Sequence, residues 1–474
     1  MNYKWIALSN TTLGTLMVSL DRNIIIIALP SIASELNAPL ITLVWIAIGY
    51  WVVTASVLLT FGRLADMFGR VKLYNLGFAL FTIGSALCFM SQDGEQLIAF
   101  RIIQAIGAAF IFSNSAAIIT DVFPETERGR ALGLNQISIM IGTVLGLILG
   151  GFLTFYFGWR SIFWINLPIG IFATIWAIIK LHEVGTIKKE KIDWLGNITF
   201  SAGILLVLIG ITFGPFQLLD TFGVLLCISV GVFLLVIFYS IEKKQTQPMF
   251  DLSLFKIKPF TSGNIVVFLN SLARSAFTFL MVFYLQGPTM DLNPLDAGIY
   301  LIHVSIAMAI FAPISGWFYD KYRLQLITQI GLVVSAIGFL LLTEIGTTTT
   351  YVESFLPLLL LGSGMGIFTP PNRTTIMSSV PSQRRGVAAG TSTTLVMMGS
   401  AFSIGIVFLL FSLILPLDFN EYIFSGSVDG QTDDYSNFIT NELINQFLFS
   451  VHLVFFLSTI IMIISIIIIQ LGIK

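Results

Sequence analysis

Five ionisable residues interrupt long apolar stretches of this sequence: Asp21, Arg22, Arg101, Arg274 and His303. A charged side chain at the centre of a bilayer costs about 2.5–3.5 kcal/mol on insertion scales, so residues of this kind are functional candidates by default. A carboxyl group in apolar surroundings can bind or release a proton when a neighbouring cation moves. The chemistry available here therefore depends on which elements bring these side chains together.

The composition identifies the medium in which those elements lie. Of 474 residues, 56% are hydrophobic and 10% are charged, and the mean hydropathy is +0.92. Soluble domains carry about 25% charged residues, so the chain is predicted to be an integral membrane protein. A formal net charge of −1 provides no basic field for nucleic acid, which is not expected as a partner. Cys88 and Cys227 lack metal-site spacing, so no bound metal is predicted.

The apolar runs define the helices. A helix needs about 20 apolar residues to cross ~30 Å of hydrocarbon. By this criterion the sequence predicts 14 transmembrane helices, at 5–29, 41–61, 73–91, 96–119, 133–157, 161–180, 194–214, 219–241, 259–286, 296–318, 324–343, 353–370, 386–413 and 446–472.

The basic residues predict an orientation, because Lys and Arg concentrate in cytoplasmic loops. With the amino terminus inside, the inner segments hold every Lys and Arg except Arg22, Arg101, Arg160 and Arg274. The loop 414–445 carries Asp and Glu but no Lys or Arg, so we expect it to cap the outer side. Both termini are predicted to be cytoplasmic, in the cell membrane.

The chain also repeats itself. Segment 124–133 recurs as 381–390, 257 residues later, and segment 62–66 recurs as 316–320 at a separation of 254. Both copies join equivalent inner ends, so the repeat is parallel in the membrane, as in one large class of transporters. The predicted fold is all-α, with 14 transmembrane helices in two parallel six-helix bundles plus a two-helix insert. The bundles are assigned to 1–181 and 259–474, and the insert with its linkers to 182–258.

Helical rise places the intramembrane charges at one depth. Asp21 lies 16 residues after Trp5, roughly 24 Å above the inner surface, and Arg101 lies roughly 9 Å below the outer surface. Together these distances span about one bilayer. The same arithmetic brings Arg274 and His303 to that level. We therefore expect the four groups to share one layer of a central cavity.

Several motifs then carry a resemblance to a known family. They are Leu-Asp-Arg-Asn-Ile at 20–24 with Ala-Leu-Pro at 28–30, Gly-Arg-Leu-Ala-Asp-Met-Phe-Gly-Arg at 62–70, Arg-Ile-Ile-Gln-Ala-Ile-Gly at 101–107, the glycines of 142–151, Trp-Arg with Asn and Pro at 159–168, and Pro-Pro-Asn at 370–372 with Arg-Gly at 385–386. These segments resemble the motifs of the major facilitator superfamily, and specifically its fourteen-helix drug:proton antiporter branch.

The resemblance implies a function. It suggests a proton-coupled exporter of lipophilic small molecules that works by alternating access, powered by the proton gradient, with no cofactor and no enzymatic activity. In this interpretation Asp21 alternately binds a proton and a substrate, and Arg101 influences that exchange. We expect a monomer whose partners are the substrate, protons and membrane lipids. The predicted substrate-binding residues are Asp21, Arg22, Asn23, Trp45, Tyr50, Gln104, Asn270, Arg274 and His303.

Two further sets of residues are assigned mechanical roles. The loop at 62–72 is interpreted as an inner gate, since Asp66 and Arg70 stand four apart and can pair on one helix face, with Gly62 allowing close helix approach. The full predicted gate comprises Gly62, Asp66, Gly69, Arg70, Asp320 and Arg323. Small residues at every fourth position let helices meet closely, which predicts helix packing at Gly142, Gly146, Gly150 and Gly151.

Alternatives remain open from the residues themselves. The Asp21–Arg101 pair could simply fasten two helices. Arg22 and Arg274 put positive charge where a cationic drug would sit, which favours neutral, zwitterionic or anionic substrates. A facilitator, or a lipid or lipophilic-anion transporter on the same scaffold, is therefore the second hypothesis, and Leu147 in place of the family's proline leaves uniport open. An ATP-driven pump is excluded because no G-x-x-x-x-G-K-[ST] loop occurs.

Overall fold

The computed structural model describes residues 2–185, 193–245, 248–322, 325–381, 384–416 and 441–473. Within these ranges, 14 helices are long and apolar enough to cross a membrane, which confirms the predicted all-helical fold. They are α1 Tyr3–Leu36, α2 Leu40–Phe68, α3 Arg70–Met90, α4 Gly94–Val122, α5 Glu125–Phe157, α6 Ser161–Lys180, α7 Trp194–Phe213, α8 Thr221–Glu242, α9 Lys258–Gln286, α10 Pro294–Tyr322, α11 Leu326–Glu344, α12 Tyr351–Ser378, α13 Arg385–Ile414 and α14 Asn441–Gly472.

Several helices continue beyond their apolar runs. α5 begins at Glu125, eight residues before the apolar run starts at 133, and α12 ends at Ser378, eight residues after its run ends at 370. An apolar run marks only the part of a helix that lies in hydrocarbon, and a helix can extend past it into water with its backbone hydrogen bonds intact. Of the expected loop 414–445, residues 417–440 lie outside the described residues, and 441–445 belong to α14.

Glycines set the packing of α5 on α1, and the second half repeats this contact. A Cβ added to Gly142 would lie 2.6 Å from the carbonyl oxygen of Leu16. A Cβ added to Gly399 of α13 would lie 2.6 Å from the carbonyl oxygen of Phe268 in α9. Only a residue without a side chain allows backbones to approach this closely. The pairs α1/α5 and α9/α13 therefore pack in the same register.

A second pair of contacts repeats in the same way. A Cβ at Gly77 of α3 would lie 3.0 Å from the oxygen of Gly107 in α4. A Cβ at Gly331 of α11 would lie 2.8 Å from the oxygen of Gly364 in α12. The internal repeat seen in the sequence is thus also a repeat of helix–helix contacts.

The two halves meet along α5 with α10 and α2 with α13. The end of the molecule that carries residues 37–39 is called outer, following the predicted orientation. At this end Gly151 of α5 lies against the backbone of Pro294 in α10, and Gln286 of α9 donates a 3.1 Å hydrogen bond to the oxygen of Ile27 in α1. Helices α7 and α8 pack on each other, and α7 contacts both α2 and α13. The insert therefore borders the seam between the halves.

Candidate functional site

The structure joins Asp21 to Arg101 in a buried ion pair. Nη1 of Arg101 lies 2.7 Å from Oδ2 of Asp21. Asp21 is 0% exposed and Arg101 is 1% exposed. α1 carries the acid and α4 carries the base, and their contact agrees with the equal depth predicted for the two residues. An ion pair that is buried away from water needs further hydrogen bonds to offset the cost of its desolvation.

Those hydrogen bonds come from polar side chains on three helices. The second carboxylate oxygen, Oδ1 of Asp21, accepts from Nε2 of Gln104 and from Nδ2 of Asn166, each at 2.8 Å. Gln104 also donates to the hydroxyl of Ser85 at 2.7 Å and accepts from Arg101 at 2.6 Å. The carboxylate is therefore held by three donors, all from the first six helices. Asn166 was absent from the predicted site, although it stands in the motif at 159–168.

A break in α6 presents Asn166 to this network. The helix is interrupted at Ile165, between the segments Ser161–Trp164 and Asn166–Lys180. Pro168 is the third residue of the second segment, where a backbone N–H would have no helical partner, so proline is tolerated there. The local sequence thus ends one short helix and starts another with an amide side chain at its first residue.

Tyr50 connects the ion pair to the adjacent cation, Arg22. The Tyr50 ring lies under the Arg101 guanidinium, with its centroid 4.3 Å from Cζ, in a cation–π arrangement. Tyr50 is 1% exposed, and its hydroxyl has no hydrogen-bond partner within the described part of the chain. α2, which carries Tyr50, also contacts α1, which carries Arg22. Tyr50 therefore touches the network on one side and offers an unsatisfied hydroxyl near Arg22.

Arg22 and Arg274 lie near each other at the seam between the halves. Arg22 belongs to α1 and Arg274 to α9, two helices of opposite halves that contact each other, and both side chains are partly exposed. Among the described residues, neither has a carboxylate within 4 Å. The one acid adjacent in sequence, Asp21, is bonded to Arg101. The structure thus holds two cations without a counter-charge next to a fully paired acid.

Other predicted substrate-binding residues have different neighbours. Asn23 donates to the oxygen of Ser19 at 2.7 Å within α1. The Trp45 ring packs on Phe213 of α7 with centroids 5.9 Å apart. These contacts place Asn23 beside the α1/α5 interface and Trp45 beside the insert.

The remaining two predicted substrate-binding residues, Asn270 and His303, contact other helices of the second half. The amide of Asn270 points to Sδ of Met462 in α14 at 3.8 Å. Nε2 of His303 lies 2.7 Å from the Tyr351 hydroxyl at the outer start of α12. The His303 ring therefore contacts the tyrosine rather than Asp21, Arg101 or Arg274, because its face of α10 turns toward α12. That the four ionisable groups share one layer remains a prediction.

The charge cluster at the inner ends of α2, α3 and α4 is well formed. Nε of Arg70 lies 2.7 Å from Oδ1 of Asp66, and its Nη1 lies 2.7 Å from Oδ1 of Asp121. Gly69 joins α2 to α3 with φ +108°, a conformation that favours glycine. Asp121 was not among the predicted gate residues, because its pairing depends on where α4 ends rather than on local spacing.

Three of the predicted gate residues need correction or fall outside the described ranges. A Cβ at Gly62 would find its nearest neighbour, Ser113, at 4.0 Å, so this glycine does not mediate a close helix approach. Asp320 is exposed and makes no ion pair within the described residues. Arg323 lies outside the described residues. The second half therefore shows no counterpart of the Arg70 cluster in the part that the structure describes.

Comparisons with known proteins point in one direction. The family model described as Major Facilitator Superfamily matches residues 11–404. The chain is 32% identical over 431 residues to the riboflavin transporter RibZ of Clostridioides difficile (strain 630), covering 89% of this chain and 91% of that protein. It is 28% identical over 401 residues to multidrug resistance protein 3 of Bacillus subtilis (strain 168), covering 83% and 77%.

A solved structure shares the fold. It is a bacterial homolog of the human lysosomal transporter Spinster in an inward-facing, occupied conformation, with a TM-score of 0.68 and 15% sequence identity. The match covers 100% of this chain and 97% of that chain. At this identity the likeness concerns the arrangement of helices and no more.

Proposed function

The chain belongs to the major facilitator superfamily and is a membrane transporter rather than an enzyme, and on that premise we propose that it exports lipophilic small molecules in exchange for protons. The observation that carries this proposal is the Asp21–Arg101 ion pair, which is fully buried in the first half of the transporter. An intramembrane ionisable residue of this kind is the expected site of a proton relay. We further propose a monomer in the cell membrane with cytoplasmic termini.

The proposed cycle alternates the state of one carboxyl group. The bundles 1–181 and 259–474 rock against each other, in the manner of parallel-repeat transporters. Protonation neutralises Asp21, so Arg101 loses its ionic partner and keeps the Gln104 oxygen and the Tyr50 ring. Loss of the proton restores the ion pair and its three hydrogen bonds. Because the ionised carboxylate of Asp21 is stable in this buried position only with its cationic partner, uptake of a proton removes the ion pair and release of the proton restores it.

Multidrug relatives and the riboflavin relative favour two classes of cargo. The name of the B. subtilis relative, multidrug resistance protein 3, supports a range of drugs as cargo. The higher identity to RibZ favours a second candidate, a flat heteroaromatic solute such as riboflavin. Tyr50 and Trp45 suit either class, since each offers an aromatic face and a buried hydrogen-bond donor without a partner in the described residues.

Proton flux in proteoliposomes tests the proposal. Purified protein is reconstituted with a pH-sensitive dye inside, and riboflavin, a lipophilic cation, a neutral drug and a lipophilic anion are added in turn. We expect at least one compound to drive proton movement that protein-free vesicles and the Asp21→Asn variant do not show. Movement of a compound without any proton flux would refute antiport and leave facilitated transport.

The Arg70 cluster is proposed to stabilise the state in which the cavity faces outward and to break as the halves rock. Arg70→Gln removes both ion pairs at once. Arg70 and its partners are about one-fifth exposed, and partly exposed pairs contribute up to about 1 kcal/mol each, so we expect a several-fold rise in the inward-open population. Spin labels at Phe68→Cys and Gly386→Cys report it as a longer inner distance. The exposed Asp320→Asn is the control, and an equal change in both variants would count against a gate at Arg70.

A further inference from the structure

Arg22 and Arg274 occupy equivalent positions of the two repeats. Asn23, next to Arg22, donates to the hydroxyl of Thr143 in α5 at 3.5 Å. Ser275, next to Arg274, bonds Ser400 in α13 at 2.9 Å. These pairs match the glycine contacts of α1/α5 and α9/α13, in which Leu16 and Phe268 are likewise 252 positions apart. The two arginines therefore project from the same point of the first helix of each half.

This symmetry explains why two like charges meet. Equivalent side chains of a parallel repeat face each other across the axis between the halves. Arg22 and Arg274 carry like charges on α1 and α9, two helices that contact each other, and like charges repel. Within the described residues no carboxylate lies within 4 Å of either. The two arginines raise the energy of the protein unless an anion lies between them.

A third group points to the same ligand. The Tyr50 hydroxyl is buried and has no hydrogen-bond partner in the described residues. Its ring stacks on Arg101, whose partner Asp21 directly precedes Arg22 in α1. A hydroxyl without a partner in apolar surroundings costs free energy until it donates. Two guanidinium forks and one hydroxyl offer several donors, and Asp21, the acid next to Arg22 in the sequence, is already paired with Arg101. This is the donor set that an oxyanion needs.

We propose that Arg22, Arg274 and the Tyr50 hydroxyl bind the acidic group of the cargo, so that this transporter carries amphiphilic organic anions. The acidic group is a carboxylate, sulfonate or phosphate on an apolar body. This inference rests on the proposed function and names its substrate class. One arginine comes from each half, so a bound anion draws the halves together and is enclosed as they rock. A cationic compound is repelled from the same place.

Matched probes test the site by binding, without any transport step. The full chain in nanodiscs of phosphatidylcholine is titrated calorimetrically with 2-naphthoate, 2-naphthamide and 2-naphthyltrimethylammonium, which share one apolar body and differ in charge. We expect 2-naphthoate to bind at least about tenfold more tightly than the other two, because charge-assisted hydrogen bonds replace neutral ones. Equal binding of the acid and the amide would overturn the proposal.

The variants assign the effect to the three residues. Arg22→Gln and Arg274→Gln are each expected to weaken 2-naphthoate binding about 10- to 100-fold, and Tyr50→Phe a few-fold, with 2-naphthamide binding unchanged. Unchanged amide binding also shows that each variant is folded. Lys321→Gln, a cation on the inner end of α10, is the control and should have no effect. Equal losses for acid and amide would contradict the assignment.

Two further experiments complete the test. The first separates a lipid headgroup from a free organic anion as the ligand, and the second separates the anion site from the proposed proton antiport. Nanodiscs with phosphatidylglycerol lower the 2-naphthoate affinity if a lipid headgroup occupies the same site, and leave it unchanged if the site takes only free organic anions. Asp21→Asn is expected to abolish proton flux, so proton flux and the preference for the acid are measured as separate readouts. Proton flux driven only by cations or neutral compounds, with no such preference, would refute the anion site and leave proton antiport standing.

Discussion

Asp21→Asn is expected to reduce proton-driven transport to the level of protein-free vesicles. The amide has nearly the shape of the carboxylate but cannot take up and release a proton near neutral pH. It also turns one acceptor into a donor facing Gln104, Asn166 or Arg101, which all donate to Asp21. Removing one partner of a buried ion pair costs about 3–5 kcal/mol, so a lower melting temperature is expected as well.

A second variant separates coupling from folding. Asp21→Asn combined with Arg101→Gln removes both charges, and replacing a buried pair as a unit is far less costly than leaving one charge alone. We expect the double variant to recover most of the melting temperature in detergent while proton flux stays absent. Proton-driven accumulation by either variant, at a rate comparable to the unmodified protein, would show that Asp21 only fastens α1 to α4.

Gly142→Val is expected to produce the largest loss of folded protein. Its Cβ would lie 2.6 Å from the oxygen of Leu16 and 2.9 Å from Cβ of Ser19, so α1 would have to move away from α5. Overpacking of this kind typically costs about 1–3 kcal/mol and more where backbone is met. Because α1 carries Asp21, the ion pair with Arg101 would shift too. We expect a lower melting temperature and little monodisperse protein on size exclusion.

The same helix provides the matched control for this variant. A Cβ at Gly133 of α5 has no neighbour within 4 Å, so Gly133→Val adds the same side chain in open space. Its effect should be limited to the modest helix-propensity difference between the residues. If both variants gave the same yield and melting temperature, close packing of α5 on α1 would not be the reason for the glycine at position 142.

Some features of this transporter follow from the order of its residues. Fourteen apolar runs predicted fourteen membrane helices, since the thickness of hydrocarbon sets the length of a helix irrespective of its neighbours. The recurring glycines indicated a repeat that the contacts of Gly142 and Gly399 now show. Asp21 and Arg101 were matched by depth, because axial rise is a local property of each helix.

Other features depend on how each helix is turned about its axis. Depth brought His303 to the level of Arg274, yet its ring faces Tyr351, and Asn166 and Asp121 complete the charged networks from positions that spacing did not indicate. Rotation and tilt are set by side-chain packing against neighbouring helices, which a linear pattern of apolar residues does not encode. Hence the order of the amino acids specifies the number, length and repetition of the helices. The partners of each buried charge are decided only when the helices pack together.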